Sequence, residues 1–239
     1  MHYPSNMNRF FCIANAILPI FCVVSAGMFP VGLYYALIES PADYLQGDTV
    51  RIMYVHVPAA WGAMICYLIM ATASATFLIW NHPLADLVAR AAAPIGASFT
   101  LIALVTGSFW GQPVWGTGWV WDARLTSVLI LFFLYLGYIA LVNAFEDPDR
   151  GGRSGAVLAL VGAINVPIIK FSVDWWNTLH QSSSLLRIHG PSIAPEMLLP
   201  LLLMGCAYFS LFVVMMILRL RGLYAGRLLR QMRMAATSR

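Results

Sequence analysis

Six stretches of about twenty apolar residues, each set off from the next by a short segment with charges, prolines or glycines, limit this chain to one kind of solvent. A helix of that length crosses about 30 Å of hydrocarbon. The stretches run roughly 11–38, 56–80, 92–109, 127–145, 155–173 and 197–218. Only 10% of the 239 residues are charged, whereas a soluble domain carries about 25%. So few charges do not cover a globular surface, while lipid requires none. The expected fold is an all-α membrane protein, a single integral domain over 1–239 made of six transmembrane helices.

The first apolar run is far longer than the 7–15 residues of a signal-peptide core, so it reads as a retained span. Orientation follows from counting basic residues by side. With both termini in the cytoplasm, ten arginines lie on that face: Arg9, Arg90, Arg150, Arg153 and the six from Arg219 onward. The opposite face holds four: Arg51, Arg124, Lys170 and Arg187. The positive-inside rule then makes the chain N-in and C-in, although without the tail the count is four against four. This clustering also accounts for the basic balance without nucleic acid. Pro58, Pro94 and Pro200 are expected near span starts. Pro19, Pro30 and Pro167 lie deeper, where a kink is expected. The cytoplasmic connections, 81–91 and the charged run 146–153, read as plain links. Cys12, Cys22, Cys66 and Cys206 all lie in apolar runs without a C-x-x-C pair, which reads as buried helix packing rather than redox chemistry or haem attachment.

The periplasmic segments differ in character. Between the third and fourth spans runs Trp110-Gly-Gln-Pro-Val-Trp115-Gly-Thr-Gly-Trp119-Val-Trp121-Asp122-Ala-Arg124. Its glycines and proline disfavour a continuous helix through 111–118, and Asp122 suits the N-cap of the fourth span. Tryptophan is common at membrane interfaces, but a belt spreads its rings over many helix ends. A flat apolar platform for a large planar ligand accounts better for four indoles in one glycine-broken loop.

Three of the five histidines, His56, His180 and His189, fall on this same face. Each alone reads as an interfacial histidine. His56 and His180, from segments far apart in sequence, instead suit axial ligation of haem iron beside an aromatic platform. Zinc wants three or four ligands at close spacing, and no H-E-x-x-H occurs. Arg51, Arg124 and Arg187 are candidates for haem propionates; Arg124 adjoins the tryptophan segment, where snorkelling to head groups is its other reading. Lys170 is the chain's one lysine, so there is no G-x-x-x-x-G-K-[ST] loop and any ATP hydrolysis belongs to a partner. No Ser/His/Asp triad is recognisable either.

The run W-G-Q-P-V-W-G-T-G-W-V-W-D-A-R-L-T-S resembles the tryptophan-rich WWD signature of haem-handling membrane proteins. With Tyr-Val-His-Val-Pro-Ala-Ala, Ala-Pro-Ile-Gly-Ala, Ala-Leu-Val-Thr-Gly-Ser and Trp-Trp-Asn-Thr-Leu-His-Gln, the chain is similar to the haem exporter protein C (CcmC) family of cytochrome c maturation, over roughly 41–181. The resemblance implies an inner-membrane protein that holds haem b at the periplasmic face and passes it to a periplasmic haem chaperone (CcmE). It implies His56 and His180 as the axial pair and Trp115, Trp119 and Trp121 as the platform, with Asp122 holding the end of the loop; Trp110 and Arg124 complete the expected site. A small single-span protein (CcmD) and an ATP-binding cassette pair (CcmA and CcmB) are the implied partners. Two departures stand out: Gly118, where members often carry a further tryptophan, and His189, which is outside the family pattern and reads as a surface residue. The expected action is to bind, orient and release haem, with no acid or base catalyst of the chain's own. The alternatives are a b-type electron-transfer protein, against which stands the lack of a mid-span histidine, and a small-solute permease subunit, which would carry polar residues deep in its spans.

Overall fold

The computed structural model describes residues 3–180 and 193–237, and within them six helical segments are long and apolar enough to cross a membrane. Helix α1 covers Tyr3–Tyr34 and ends in a π-helical turn, Tyr35–Glu39. A 3-10 turn, Asp48–Ile52, leads into α2, Met53–Trp80. Helices α3 (Pro83–Trp115) and α4 (Ala123–Asn143) follow. The fifth crossing is broken into α5 (Pro148–Gly162) and α6 (Asn165–Trp175), and α7 (Pro195–Thr237) is the sixth. The chain is a multi-pass membrane protein.

Local chemistry sets the boundaries. Asn81, at φ 50°, ends α2 with its N–H on the Phe77 carbonyl at 2.8 Å. Pro83 then opens α3, at a position whose N–H has no helical partner anyway. The α2–α3 link is therefore only residues 81–82, and the rest of the expected connection 81–91 is helix. Hydropathy reports the solvent around a segment, and here the backbone stays helical beyond the apolar core. Likewise the charged run 146–153 is not a simple turn: Asp147 caps α5 by accepting from Asp149 N at 2.9 Å, and Pro148 is its first residue. Gly151 and Gly152 lie inside α5, where a Cβ would meet the Val142 carbonyl at 2.6 Å and Asp86 Oδ1 at 2.9 Å. Pro58 and Pro200 do fall near helix starts, but Pro94 lies well inside α3.

Helices α2 and α3 run antiparallel and pack most closely of all, with Ala59, Ala63, Ala89, Ala92 and Ala93 buried. Gly62 lies so near the Phe99 ring that a Cβ would stand 2.5 Å from it. Small residues let helix backbones approach where lipid offers no hydrophobic drive to associate. Helix α1 lies outside the bundle along α7, joined by ring pairs Phe11–Tyr224 at 4.8 Å and Phe29–Tyr208 at 5.6 Å. Of the four cysteines only Cys66 is buried; Cys12, Cys22 and Cys206 are exposed on helix surfaces. The expectation of buried packing thus holds for one, because a thiol meets no penalty facing hydrocarbon.

The end of the bundle away from the tryptophan-rich segment is closed by ions. Asp86, 3% exposed, takes both oxygens to Arg90 Nε, at 2.9 and 3.0 Å, and one to Arg227 Nη2 at 2.6 Å. Arg90 also donates to the carbonyls of Val142 at 3.3 Å and Pro148 at 2.8 Å. The Asp86–Arg90 pair thereby ties α3 to the end of α4, to the start of α5 and to α7. Nothing in the pattern around 81–91 had suggested this.

Candidate functional site

At the other end, α2, α3, α4 and α6 leave a cavity between them. The space it encloses, open mouth and solvent included, is about 1070 Å³. Its walls are mostly apolar, including Ala60, Met64, Leu131 and Ile169. Among the residues expected from sequence, His56, His180, Trp110, Trp115, Trp119 and Arg124 all line it.

His56 is not in a loop. It sits in the first turns of α2, with Nδ1 3.1 Å from Thr106 Oγ1 on α3 and its ring T-shaped to Trp110 at 5.7 Å. Trp110 is itself held, its indole N–H donating to Gln46 Oε1 at 2.7 Å. Gln46 is delivered by a turn in which Asp43 Oδ1 accepts from Leu45 N and Gln46 N, both at 2.9 Å, and Asp43 pairs with Gly47. The polar segment ahead of α2 is thus a built turn that secures one wall of the cavity.

The tryptophan segment differs from expectation at its start. Helix α3 continues through Gly111, Gln112 and Pro113 to Trp115, and only then stops, at Gly116 with φ 75°. A proline so near a helix end removes one bond, which Gly116 N to the Gln112 carbonyl at 3.1 Å follows at once. Gly111 serves packing: a Cβ there would lie 2.9 Å from the Trp115 ring and 3.1 Å from the Thr117 carbonyl, so the chain folds back over it. Thr117 then turns the chain, its hydroxyl donating to the Trp119 carbonyl at 2.9 Å. Thr178 does the same for His180, at 3.2 Å. A Thr-x-aromatic turn therefore presents both Trp119 and His180, and the ring of His180 lies 6.3 Å from that of Trp115.

Asp122 is the N-cap of α4 as expected, accepting from Leu125 N at 2.7 Å. Its other oxygen, Oδ2, is buried without a hydrogen-bond partner among the described residues, and so is Trp119 Nε1. Buried polar atoms are nearly always paired, so an orphan donor on a residue that lines the cavity fits an acceptor on a ligand. Arg124 reaches across to α6, donating from Nε to Ser172 Oγ at 2.8 Å and from Nη2 to the Lys170 carbonyl at 3.4 Å. It borders the cavity rather than only snorkelling outward. Arg51 does not line the cavity; its guanidinium holds the carbonyls of Leu37 and Ser40 and pairs with Asp48 at 3.2 Å. Trp121 packs edge-on against Trp119 at 5.5 Å but is 77% exposed and lines an adjoining crevice with Asn177 and Leu179 rather than the cavity. Gly118 presses on α3, a Cβ there being 3.1 Å from the Ser108 carbonyl. His189 and Arg187 lie outside the described residues. Thr106 and Gln46 were not foreseen as parts of the site. Thr106 does fall in the Ala-Leu-Val-Thr-Gly-Ser run, but nothing local marks its role.

The site gathers two imidazoles, three indoles and a guanidinium around one apolar cavity in a six-span membrane bundle. The chain matches the family described as Heme exporter protein C over residues 1–235. It is 51% identical to the Heme exporter protein C of Bradyrhizobium diazoefficiens, over 98% of this chain and 89% of that one. With the Escherichia coli K12 protein of the same name it shares 46%, over 90% and 86%. With a putative cytochrome c biosynthesis ccmC-like mitochondrial protein of Marchantia polymorpha it shares 49%, over 80% and 81%. The chain belongs to the Heme exporter protein C family.

Proposed function

We propose that this chain binds haem b in the cavity at the tryptophan-rich end and hands it to a periplasmic haem chaperone (CcmE) during the making of c-type cytochromes. One observation carries the reading: His56 and His180 line the same apolar cavity as Trp110, Trp115, Trp119 and Arg124. Family membership supports it, since relatives are named for haem export. Haem supplies an iron that takes two neutral imidazoles. The chain's own part is to offer those imidazoles as ligands, stack indoles on the macrocycle and set Arg124 and the Trp119 N–H toward the propionates. Release to the chaperone then needs no acid or base from the chain. In this reading the tryptophan-rich end faces the periplasm, both termini lie in the cytoplasm of a bacterial inner membrane, and CcmD and the ATP-binding cassette pair CcmA and CcmB are the partners, with any ATP hydrolysis belonging to that pair.

The test is the optical spectrum of the purified protein. Wild type is expected to carry haem with a bis-histidine Soret and α band. His56→Ala and His180→Ala should lose or alter it, and His189→Ala should not. Absence of haem from every variant, with haem plentiful and no chaperone present, refutes the delivery reading. A loss confined to His189→Ala keeps haem binding and overturns the ligand assignment.

A further inference from the structure

We propose that Thr106 is a positioning residue that fixes which nitrogen of His56 is free to bind iron; this rests on the haem reading above. His56 lines the cavity and Thr106 does not, so the hydroxyl stands behind the imidazole. The contact is to Nδ1, at 3.1 Å. What decides its direction is the hydroxyl's other bond. Thr106 Oγ1 lies 2.6 Å from the Ile102 carbonyl, one turn back on α3, and 3.4 Å from that of Ala103. Its single proton is committed to its own helix, and toward His56 the oxygen has only a lone pair to offer. Nδ1 must then carry the ring proton. The remaining nitrogen, Nε2, is left bare on the side of the ring away from Thr106. That tautomer leaves Nε2, and not Nδ1, available to a metal.

The next residue, Gly107, completes the seat. A Cβ there would lie 3.0 Å from His56 Cε1 and 3.4 Å from Nδ1, so the ring rests where any other residue would place a side chain. Trp110, one turn further along, closes on the ring edge. One face of α3 thus supplies the hydrogen bond, the room and the stop that together orient one imidazole. Ligating histidines are commonly fixed in this way by the partner of their second nitrogen, and loss of that partner lowers metal affinity by roughly 10–100-fold.

The experiment compares full-length wild type, Thr106→Val and Thr106→Ser, purified from membranes. Valine keeps the shape and removes the acceptor; serine restores it. Haem titration and the ferric electron paramagnetic resonance spectrum read the loaded site. The 15N spectrum of the histidines in the haem-free protein, assigned by difference against His56→Ala, reads the tautomer with no haem present. The expected result is a haem affinity lowered roughly 10–100-fold in Thr106→Val, with shifted g-values and a new or mixed His56 tautomer, and wild-type behaviour in Thr106→Ser. Wild-type affinity and tautomer in Thr106→Val, beside a His56→Ala variant that has lost haem, overturn the role of Thr106 and leave the haem reading standing. Equal damage in the valine and serine variants makes Thr106 a packing residue and also overturns it. Undiminished haem in His56→Ala overturns the haem reading, and this inference with it.

Discussion

Asp86 offers the largest single perturbation that leaves the cavity untouched. Its carboxylate accepts three short bonds from two arginines, and its side chain is 4% exposed. Replacing it by alanine strands Arg90, whose side chain is 13% exposed, beside an empty space. Removing one partner of a buried pair costs about 3–5 kcal/mol. Arg90 keeps its bonds to the Val142 and Pro148 carbonyls, so the expected value for Asp86→Ala is the lower end, about 3 kcal/mol. Arg227→Ala should cost less. That side chain is 30% exposed and makes one bond to the carboxylate, and solvent screening brings such a pair toward about 1 kcal/mol. The assay is reversible unfolding of the purified protein in mixed micelles, with haem content measured on the same samples. Haem per folded molecule should remain at the wild-type level in both variants, because the network closes the opposite end. A value for Asp86→Ala within about 0.5 kcal/mol of wild type refutes the reasoning. So does an Arg227→Ala penalty as large as that of Asp86→Ala.

Asp122 has one oxygen in the α4 cap and one without a partner among the described residues. Asp122→Ala should lower stability by about 1 kcal/mol and Asp122→Ser should restore most of it; if haem content recovers equally in the serine variant, the second oxygen has no part in binding. Gly107→Ala places a methyl 3.0 Å from His56 Cε1, so haem titration should show weaker binding while the protein still purifies as a folded monodisperse species. An unchanged haem affinity there counts against the tight seat of His56.

The membrane architecture was legible because hydropathy directly records the solvent of each segment, and the six crossings emerge where the apolar runs lie. Helix ends were less legible. Asp86 and Arg90 looked like parts of a link, yet both are helical and bonded. Gly151 and Gly152 looked like a turn, yet they are small so that α4 and Asp86 can come close. In the site, histidine and tryptophan stood out because they are scarce residue types gathered on one side. Thr106 and Gln46 did not, since the partners that give them meaning lie 50 and 64 residues away in the chain. The break in the fifth crossing was half-visible: Pro167 marked a distortion, but its placement at the start of α6, after the turn at 163–164, came from packing.

That break is what opens the cavity. Helix α5 lies close along α2, and Gly162 makes this approach feasible, since a Cβ there would stand 2.1 Å from Tyr67 OH. After the break α6 packs on α4 and barely touches α2. The turn is held by Asn165, buried, whose Nδ2 donates to the Ser127 carbonyl of α4 at 2.8 Å. Ser172, two turns on, takes the bond from Arg124 at 2.8 Å. Two bonds to α4, two turns apart on α6, hold this helix on α4 and away from α2, and the cavity occupies the space between Ala60 and Met64 on one side and Ile169 on the other. Asn165→Ala should remove a buried hydrogen bond at a cost of about 1–2 kcal/mol. Because it also frees α6 to settle toward α2, haem affinity should fall as well. Asn165→Leu, which fills the volume without the bond, should not rescue binding. If unfolding in mixed micelles shows the stability loss while haem affinity stays at the wild-type level in both variants, the position of α6 is not what shapes the cavity.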